Sequence, residues 1–291
     1  SQDSDVPSGY GFANSLKLDC TTADASPSTG DILIVRQRFE GQDLQLLKKG
    51  TSSAEKVTVA FWIKATKTGT NILELFDRDN NRTVGISYTV SSSNTWEYKV
   101  VNFPADTSGA LGDDNNLSFE IAWWLGSGTD YTSGTLQTSW GSQSDTNRAV
   151  GQVNHGDSTS NNVFITGVQM EVGEYTSATL PPFQHESFGD NLARCQRYYH
   201  KVAEYGADGL NMQTIGMGYY KSTSQWRILC YLPVRPRTNP SLDSTSGTNY
   251  YINDLSGIDD TFNGVELTRS NSDIVQVVHT ASNVSGTVGQ A

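Results

Sequence analysis

The sequence predicts an all-β protein: a jelly-roll β-sandwich followed by one linker helix and a small C-terminal β module. Three observations favour this fold class. Apolar and polar residues alternate in several short segments, turns rich in Gly, Asn and Ser separate those segments, and Thr and Tyr, which favour strands, are abundant. With 291 residues, the chain is too long for one compact sandwich, so a second module is expected.

Strand periodicity recurs through the first part of the chain. Residues 31–47 are expected to be extended, around apolar positions such as Ile32 and Phe39. Alternation of apolar and polar side chains then predicts five strands with polar turns between them. These strands are expected at residues 57–64, 71–76, 84–90, 96–100 and 117–125.

A long polar segment follows these strands. Residues 126–160 are rich in Gly, Ser, Thr, Asn and Gln. Because most connections between strands are short, this length predicts a functional loop region with room for one short strand. Residues 163–172 then predict the strand that closes the series. This pattern is typical of two stacked antiparallel sheets.

The chain changes character near residue 180. Pro181 and Pro182 interrupt regular structure, and a capping-box pattern begins at Ser187. Apolar residues at helical spacing then predict one helix over about residues 187–202. Further strands are expected at residues 225–234, 248–253 and 262–279. The expected organisation is a jelly-roll domain (1–180), a linker helix (181–202) and a small β-rich C-terminal domain (203–291).

Composition excludes several classes of partner. The net charge is −11 and no segment is strongly basic, which argues against binding to nucleic acid or to anionic membranes. No run of apolar residues approaches the ~20 that a transmembrane helix needs, so membrane insertion is not expected. The three cysteines are too far apart for a CxxC metal site or a disulfide framework.

A set of short motifs carries a resemblance to a known group of proteins. Residues 164–173 read FITGVQMEVG, and residues 182–199 read PFQHESFGDNLARCQRYY. Further motifs, in the same order as in that group, are RFEGQ (38–42), FWIK (61–64), SNTWEY (93–98), RAVGQ (148–152) and LPVRPR (232–237). Together they resemble virion proteins of marine and other tailed phages, over nearly the whole chain.

This resemblance implies a location and a role. Such proteins are tail fibres or other virion appendages, with a jelly-roll domain similar to carbohydrate-binding modules. The resemblance therefore implies a protein of the virion surface that attaches to host-surface glycans. It also implies a homo-oligomer, with a trimer favoured, and contacts with other tail or capsid proteins. Related chains usually carry additional N-terminal sequence, so a portion of a longer fibre or a processed form is expected.

Five side chains are candidate glycan contacts. Trp62, Glu120 and Trp124 each alternate with a more apolar neighbour, so they are expected on the outer faces of their strands. Exposed aromatic rings can stack on sugars, and a nearby carboxylate can accept hydrogen bonds from sugar hydroxyls. Tyr131 and Trp140, in the long polar segment, are alternative contacts. The competing interpretation is ordinary packing of these residues beneath a loop.

Candidate metal and interface residues are fewer. Glu171 is the candidate ligand of one structural calcium ion, by resemblance to jelly-roll binding modules, and no other cofactor is expected. Residues 77–88 begin like a calcium loop but lack its glycine and its final glutamate, so a hairpin turn is expected. Arg194, Arg197 and Tyr198, on or just after the predicted helix, are candidate contacts with a neighbouring subunit; a plain connector is the alternative.

Three functions remain open. The first is an adsorption fibre that binds glycan, the second a purely structural head or tail protein, and the third a depolymerase that cleaves capsule. The histidines show neither HExxH spacing nor a GxSxG partner, and no phosphate-binding or dinucleotide motif is present. We therefore expect that the protein is not an enzyme and that it binds glycan without cleaving it.

Overall fold

Strands dominate the fold in this computed structural model. It describes residues 1–202, 216–243, 250–253, 259–262, 265–270 and 274–280. The chain divides into two compact units, Ser1–Phe183 and Gln184–Ala291.

The first unit contains ten strands and two short 3-10 helices. The 3-10 helices span Gly41–Leu47 and Asp145–Asn147. The strands are β1 (Gln2–Asp3), β2 (Ser15–Asp19), β3 (Ile32–Glu40), β4 (Val57–Ala65), β5 (Gly69–Asp77), β6 (Arg82–Val90), β7 (Glu97–Phe103), β8 (Leu117–Ser127), β9 (Gly141–Ser142) and β10 (Asn162–Val172).

These strands form two five-stranded sheets. Sheet A has the order β1-β2-β10-β4-β7, and sheet B has the order β3-β8-β5-β6-β9. Every pairing in both sheets is antiparallel. The chain crosses between the sheets repeatedly, from β3 in sheet B to β4 in sheet A and then back to β5. The predicted fold class, an all-β jelly-roll sandwich, is confirmed.

The core lies between the sheets because each strand turns alternate side chains inward. Phe61 of β4 contributes one of the largest fully buried side chains. Its ring centroid lies 5.2 Å from that of Tyr88 and 5.5 Å from that of Trp123, both edge-on. Tyr88 lies on β6 and Trp123 on β8, so aromatic contacts join sheet A directly to sheet B.

A buried ion cluster ties two loops to the end of sheet B where β5 and β6 meet. The Lys49 Nζ atom contacts the Asp77 carboxylate and lies 2.8 Å from the Asp106 Oδ2 atom. It also donates to the carbonyl oxygens of Ser108 and Gly109, at 3.1 and 2.9 Å. Arg82 donates to both Asp106 oxygens, each at 2.9 Å. Each buried charge therefore has an opposite charge beside it, as burial requires.

Two local predictions for this unit need correction. Residues 41–47 were expected to be extended but form a 3-10 helix, which buries Leu44 and Leu47 against the core. The strands β1 and β2 were not predicted, because only one apolar pair, Leu16 and Leu18, marks them. Their pairing is non-local: β2 bonds to β10, far along the chain.

The second unit contains the predicted helix and a small β structure. The helix α1 spans Phe188–Gln196, and its N-terminal Ser187 side chain accepts a hydrogen bond from the Asp190 amide, as the capping box predicts. It ends before the predicted residue 202. The strands β11 (Met217–Ser222), β12 (Gln225–Tyr231), β15 (Glu266–Ser270) and β16 (Ile274–Thr280) form a sheet of order β11-β12-β16-β15. The strands β13 (Tyr250–Asn253) and β14 (Asp259–Phe262) pair with each other.

A buried hydroxyl in the sandwich core provides a test of this packing. The Tyr88 hydroxyl is buried and has no hydrogen-bond partner in the described part of the chain. A buried hydroxyl without a partner costs about 1–3 kcal/mol, so we expect the Tyr88→Phe variant to be as stable as the wild type or more stable. Urea unfolding measures this change. A loss of more than ~1 kcal/mol would show that the hydroxyl has a partner.

Candidate functional site

A row of outward side chains crosses sheet A at β4. Trp62 lies opposite Thr166 of β10 on one side and Tyr98 of β7 on the other. Because Phe61 points into the core, its neighbour Trp62 points to the outer face of the sheet. Both Trp62 and Tyr98 are half-buried, and their ring centroids lie 5.1 Å apart.

A third ring reaches this row from the N-terminal segment. The Tyr10 ring centroid lies 4.4 Å from that of Trp62, and Tyr10 is 55% exposed. Tyr10, Trp62 and Tyr98 therefore form a contiguous and partly exposed group, here named the aromatic patch. Burial raises the pKa of the Tyr98 hydroxyl, so this group stays protonated at neutral pH and can donate a hydrogen bond.

A β-bulge in β10 allows the N-terminal segment to lie against the sheet. The register of β10 against β4 shifts between Thr166 and Gln169. Gly167 in this bulge has φ +58°, and a Cβ atom there would lie 2.5 Å from the Phe12 ring. The Thr166 hydroxyl donates to the Asn14 carbonyl at 2.9 Å. Glycine is thus required both by the backbone conformation and by the close approach of Phe12.

Charged groups border the aromatic patch on the same face. Asp5 pairs with the Lys64 ammonium and accepts a hydrogen bond of 2.9 Å from the Trp96 indole nitrogen. The hydrogen bond from Lys64 holds the pKa of Asp5 below its usual value. The Lys64 ammonium also lies 5.2 Å from the Phe164 ring centroid. This border supplies fixed polar groups beside an apolar surface.

The outer face of sheet B is largely covered, in contrast to sheet A. Trp124 is fully buried; its ring centroid lies 5.6 Å from that of Tyr131, in the long polar segment. Its indole nitrogen donates to the Glu74 carboxylate at 3.2 Å, and Arg148 donates to both Glu74 oxygens at 2.8 and 2.9 Å. Burial raises the pKa of Glu74, against the lowering effect of the Arg148 hydrogen bonds.

The expected exposure of Trp124 is therefore wrong. The polar segment folds back over β8, so this ring packs beneath a loop instead of facing solvent. Tyr131 and Trp140 of the same segment also pack inward. Trp140 lies 6.0 Å from Phe119 between ring centroids, and its nitrogen donates to the Pro104 carbonyl at 2.9 Å. These contacts of Tyr131 and Trp140 hold the polar segment against the sandwich.

Glu120 is buried as well, but it lies at the open part of the same face. Its carboxylate accepts from the Arg38 Nε atom at 2.9 Å and the Arg78 Nη2 atom at 2.8 Å. The Arg36 Nη1 atom lies 3.6 Å from the same carboxylate. The expected exposure of Glu120 is therefore wrong: its oxygens are directed at arginines, not at solvent.

The candidate calcium ligand Glu171 lies on β10. Glu171 accepts a hydrogen bond of 2.9 Å from Gln169. No group of three or more His, Cys, Asp and Glu side chains occurs in the described ranges that could hold a metal ion. The calcium site at Glu171 stays a prediction.

The interface candidates lie on and just beyond α1. Arg194 is exposed and pairs with Glu186 at 2.8 Å, whereas the Arg197 carbonyl accepts from the Arg237 amide at 3.1 Å. Tyr198 and Tyr199 are 59% and 67% exposed.

Sequence reasoning missed several residues on the two outer faces. Tyr10 lies in a segment without strand periodicity, and nothing in the sequence indicates that this segment reaches Trp62. Tyr98 lies in a predicted strand, but its position beside Trp62 depends on the pairing of β7 with β4, which the sequence does not indicate. Arg36 and Arg38 show the alternation of a strand, but their shared partner Glu120 is more than 80 residues away in sequence.

Comparisons with known proteins add distant similarities. No family model matches the sequence, and no curated protein matches it. A tailspike protein 4 domain of bacteriophage CBA120, described as enzymatically active, is similar over 59% of this chain, with 15% identity and a TM-score of 0.31. The match spans 17% of that tailspike chain. A carbohydrate-binding module, CBM4, is similar over 50% of this chain and 79% of its own, with 9% identity and a TM-score of 0.26. At these scores neither similarity carries an argument about function.

Among the described residues, no helix combines the length and the apolar character needed to cross a bilayer.

A buried histidine holds the polar segment near sheet B and predicts a pH dependence. His155 is 4% exposed, and its Nε2 atom donates to the Asn71 side-chain oxygen at 2.7 Å. Burial lowers the pKa of His155 to about 4, helped by the nearby charge of Lys67 and opposed by Asp157. As the pH falls, the unfolded chain binds a proton at His155 before the folded protein does. The stabilisation that neutral His155 gives the fold is therefore complete above about pH 6.5 and is lost as the pH falls towards 4.

We expect the His155→Gln variant to remove part of this pH dependence. The lost stability is at most about 3 kcal/mol, so the difference in melting temperature between wild type and variant should shrink from pH 7 to about pH 4.5. Thermal unfolding at several pH values measures it, and the exposed His185→Gln serves as the matched control. A difference that stays constant over this range would contradict a buried neutral His155.

Proposed function

We propose that the first unit binds glycans at the aromatic patch of sheet A. The observation that carries this proposal is the group of three rings, Tyr10, Trp62 and Tyr98, with centroid separations of 4.4 and 5.1 Å around Trp62. The rings are held by neighbours on three separate segments and remain partly exposed. Single exposed rings are common on protein surfaces, but contiguous groups of exposed rings often mark binding sites.

The chemistry of the patch suits a sugar. One face of a pyranose ring carries mainly C–H groups, which pack on flat aromatic surfaces, and its hydroxyls need hydrogen-bonding partners at the edge. The Tyr98 hydroxyl and the Asp5–Lys64 pair supply such partners. Because Trp62 is flanked on both sides, its orientation is set before a ligand arrives, which lowers the entropic cost of binding.

The absence of cleavage is part of the same proposal. Retaining glycosidases need two carboxyl groups about 5 Å apart with access to the substrate. Glu74 and Glu120 are two buried carboxylates on the outer face of sheet B, and arginines occupy the oxygens of both. No reducing ends should therefore appear when the protein is incubated with a polysaccharide that it binds; their release would instead support the depolymerase alternative.

We further propose that this module belongs to a virion appendage, where it mediates attachment to the host surface. The ordered motifs of the sequence, which resemble tailed-phage virion proteins, support this assignment. A tail fibre presents several copies of each module, so weak single sites gain strength from multivalency. A purely structural virion protein is the competing hypothesis and predicts no glycan binding.

A homotrimer fits the exposed apolar face of α1. Phe188 is 82% exposed, and Leu192, one turn later on the same face, is 41% exposed. Such a face is expected to be covered by other copies of the chain. Light scattering should give three times the chain mass for the wild type and a smaller mass for Phe188→Ser. The control is Leu46→Ser, at an exposed leucine of the first unit; a monomeric wild type would contradict the trimer.

Replacing Trp62 should abolish most glycan binding. The Trp62→Ala variant removes the central ring, and loss of such an aromatic contact weakens binding about tenfold or more. Tyr10→Ala should act in the same direction with a smaller effect. A glycan array identifies a ligand for the wild type, and titration calorimetry with that ligand then compares the variants.

The matched control is Tyr231→Ala in the second unit, where the tyrosine is 72% exposed. Its affinity should equal that of the wild type. An array without signal above background, or equal affinities for Trp62→Ala and wild type, would rule out the aromatic patch as the site.

A further inference from the structure

We infer that the opposite side of the sandwich carries a second binding site, specific for anionic groups on a polysaccharide. The site is formed by Arg36 and Arg38 of β3 and Arg78 of the turn after β5, at the outer face of sheet B, and is here named the arginine cluster. The inference relies on the proposed glycan binding for the class of ligand, but it uses a different face and a different chemistry.

The first argument is the imbalance of charge within the cluster. Three guanidinium groups converge on the single carboxylate of Glu120, at 2.9, 2.8 and 3.6 Å. One carboxylate cannot neutralise three guanidiniums. The whole chain has a net charge of −11, so a concentration of positive charge on one face is opposite to the overall field of the molecule. Such a local excess attracts anions.

The second argument is the number of unused donors. Each guanidinium has five N–H groups in a planar fork that fits carboxylate and sulfate oxygens. Arg38 and Arg78 each use one donor atom on Glu120, and Arg36 lies beyond hydrogen-bond distance from it. The three side chains are 39%, 56% and 32% exposed in sequence order. Their remaining donors are therefore available to a ligand from solvent.

The third argument is preorganisation. Glu120 is 2% exposed and is held in β8, between β3 and β5, so it fixes the inner ends of the guanidiniums. The Arg78 guanidinium also lies 4.1 Å from the Phe76 ring centroid, stacked on a buried side chain. Arg36 and Arg38 alternate on β3 and so project from the same face. A site held in this way loses little side-chain entropy on binding.

The ligand should carry carboxylate or sulfate groups along a sugar chain. Bidentate contacts from guanidinium to either group are strong and directional. A monomeric anion would meet the same donors, but a polymer presents repeated charges to repeated copies of the site. An acidic polypeptide is the alternative source of carboxylates, and the experiment separates it from the polysaccharide.

The test uses the full chain and four probes: polygalacturonate, dextran sulfate, neutral dextran and poly-glutamate. Affinity electrophoresis should show binding to one or both of the charged polysaccharides at about 0.02 M NaCl, and weaker binding at about 0.3 M. Because the protein is itself acidic, non-specific attraction to polyanions is not expected. Free galacturonate should compete only at much higher concentration than the polymer.

Variants locate the site and keep the test independent of folding. Arg36→Gln removes the arginine least coupled to Glu120, so it should leave the fold intact and weaken binding about tenfold. Arg38→Lys keeps the charge but loses the fork and should also weaken binding. Lys48→Gln, at another exposed cation of the first unit with one carboxylate partner, is the control and should bind like the wild type.

Each outcome is decisive for this site. Loss of polyanion binding in the Arg36 and Arg38 variants, with retention in Lys48→Gln, supports the arginine cluster. Failure of the aromatic patch alone would show as loss of neutral-glycan binding only, so the two proposals fail separately. Equal binding by wild type, Arg36→Gln and Arg38→Lys, binding of poly-glutamate in preference to the polysaccharides, or no polyanion binding at all would overturn the inference.

Discussion

The burial of one face of sheet A against one face of sheet B is the constraint on which the rest of this structure depends. Side chains alternate along a strand, so the contact of Phe61 with Tyr88 and Trp123 in the core decides where their neighbours go. The same alternation places Trp62 on the outer face of sheet A and Trp124 on the outer face of sheet B. A shift of one residue in either strand would exchange these roles and bury polar groups in the core.

The outer faces of the two sheets differ in how far their side chains are covered. Sheet B buries Glu74 beneath the long polar segment, which is possible because Arg148 meets both carboxylate oxygens. Sheet A leaves Trp62 half-buried beside Tyr10 and Tyr98. A covered face contributes stability, whereas a partly open aromatic face offers surface for binding. The part of sheet B beneath the polar segment is therefore structural, whereas the outer face of sheet A offers recognition chemistry.

The arginine cluster occupies the part of sheet B that the polar segment leaves open. Its chemistry complements that of the aromatic patch, because rings recognise the apolar face of a sugar and guanidiniums recognise charged substituents. A protein with both could discriminate among polysaccharides by charge as well as by shape. Placement of the two groups on opposite faces also means that one polymer strand need not satisfy both, and repeated copies in an oligomer could engage several strands.

The sequence by itself determined the all-β class, most strand positions and the capped helix at Ser187, because alternation, turns and caps are local signals. It also indicated that Trp62 faces outward. Only the tertiary structure decided that Trp124 and Glu120 are buried, that Tyr10 reaches Trp62, and that three arginines share one carboxylate. The physical reason is that these contacts join segments far apart in sequence, across sheet pairings and under a loop whose path no local pattern encodes.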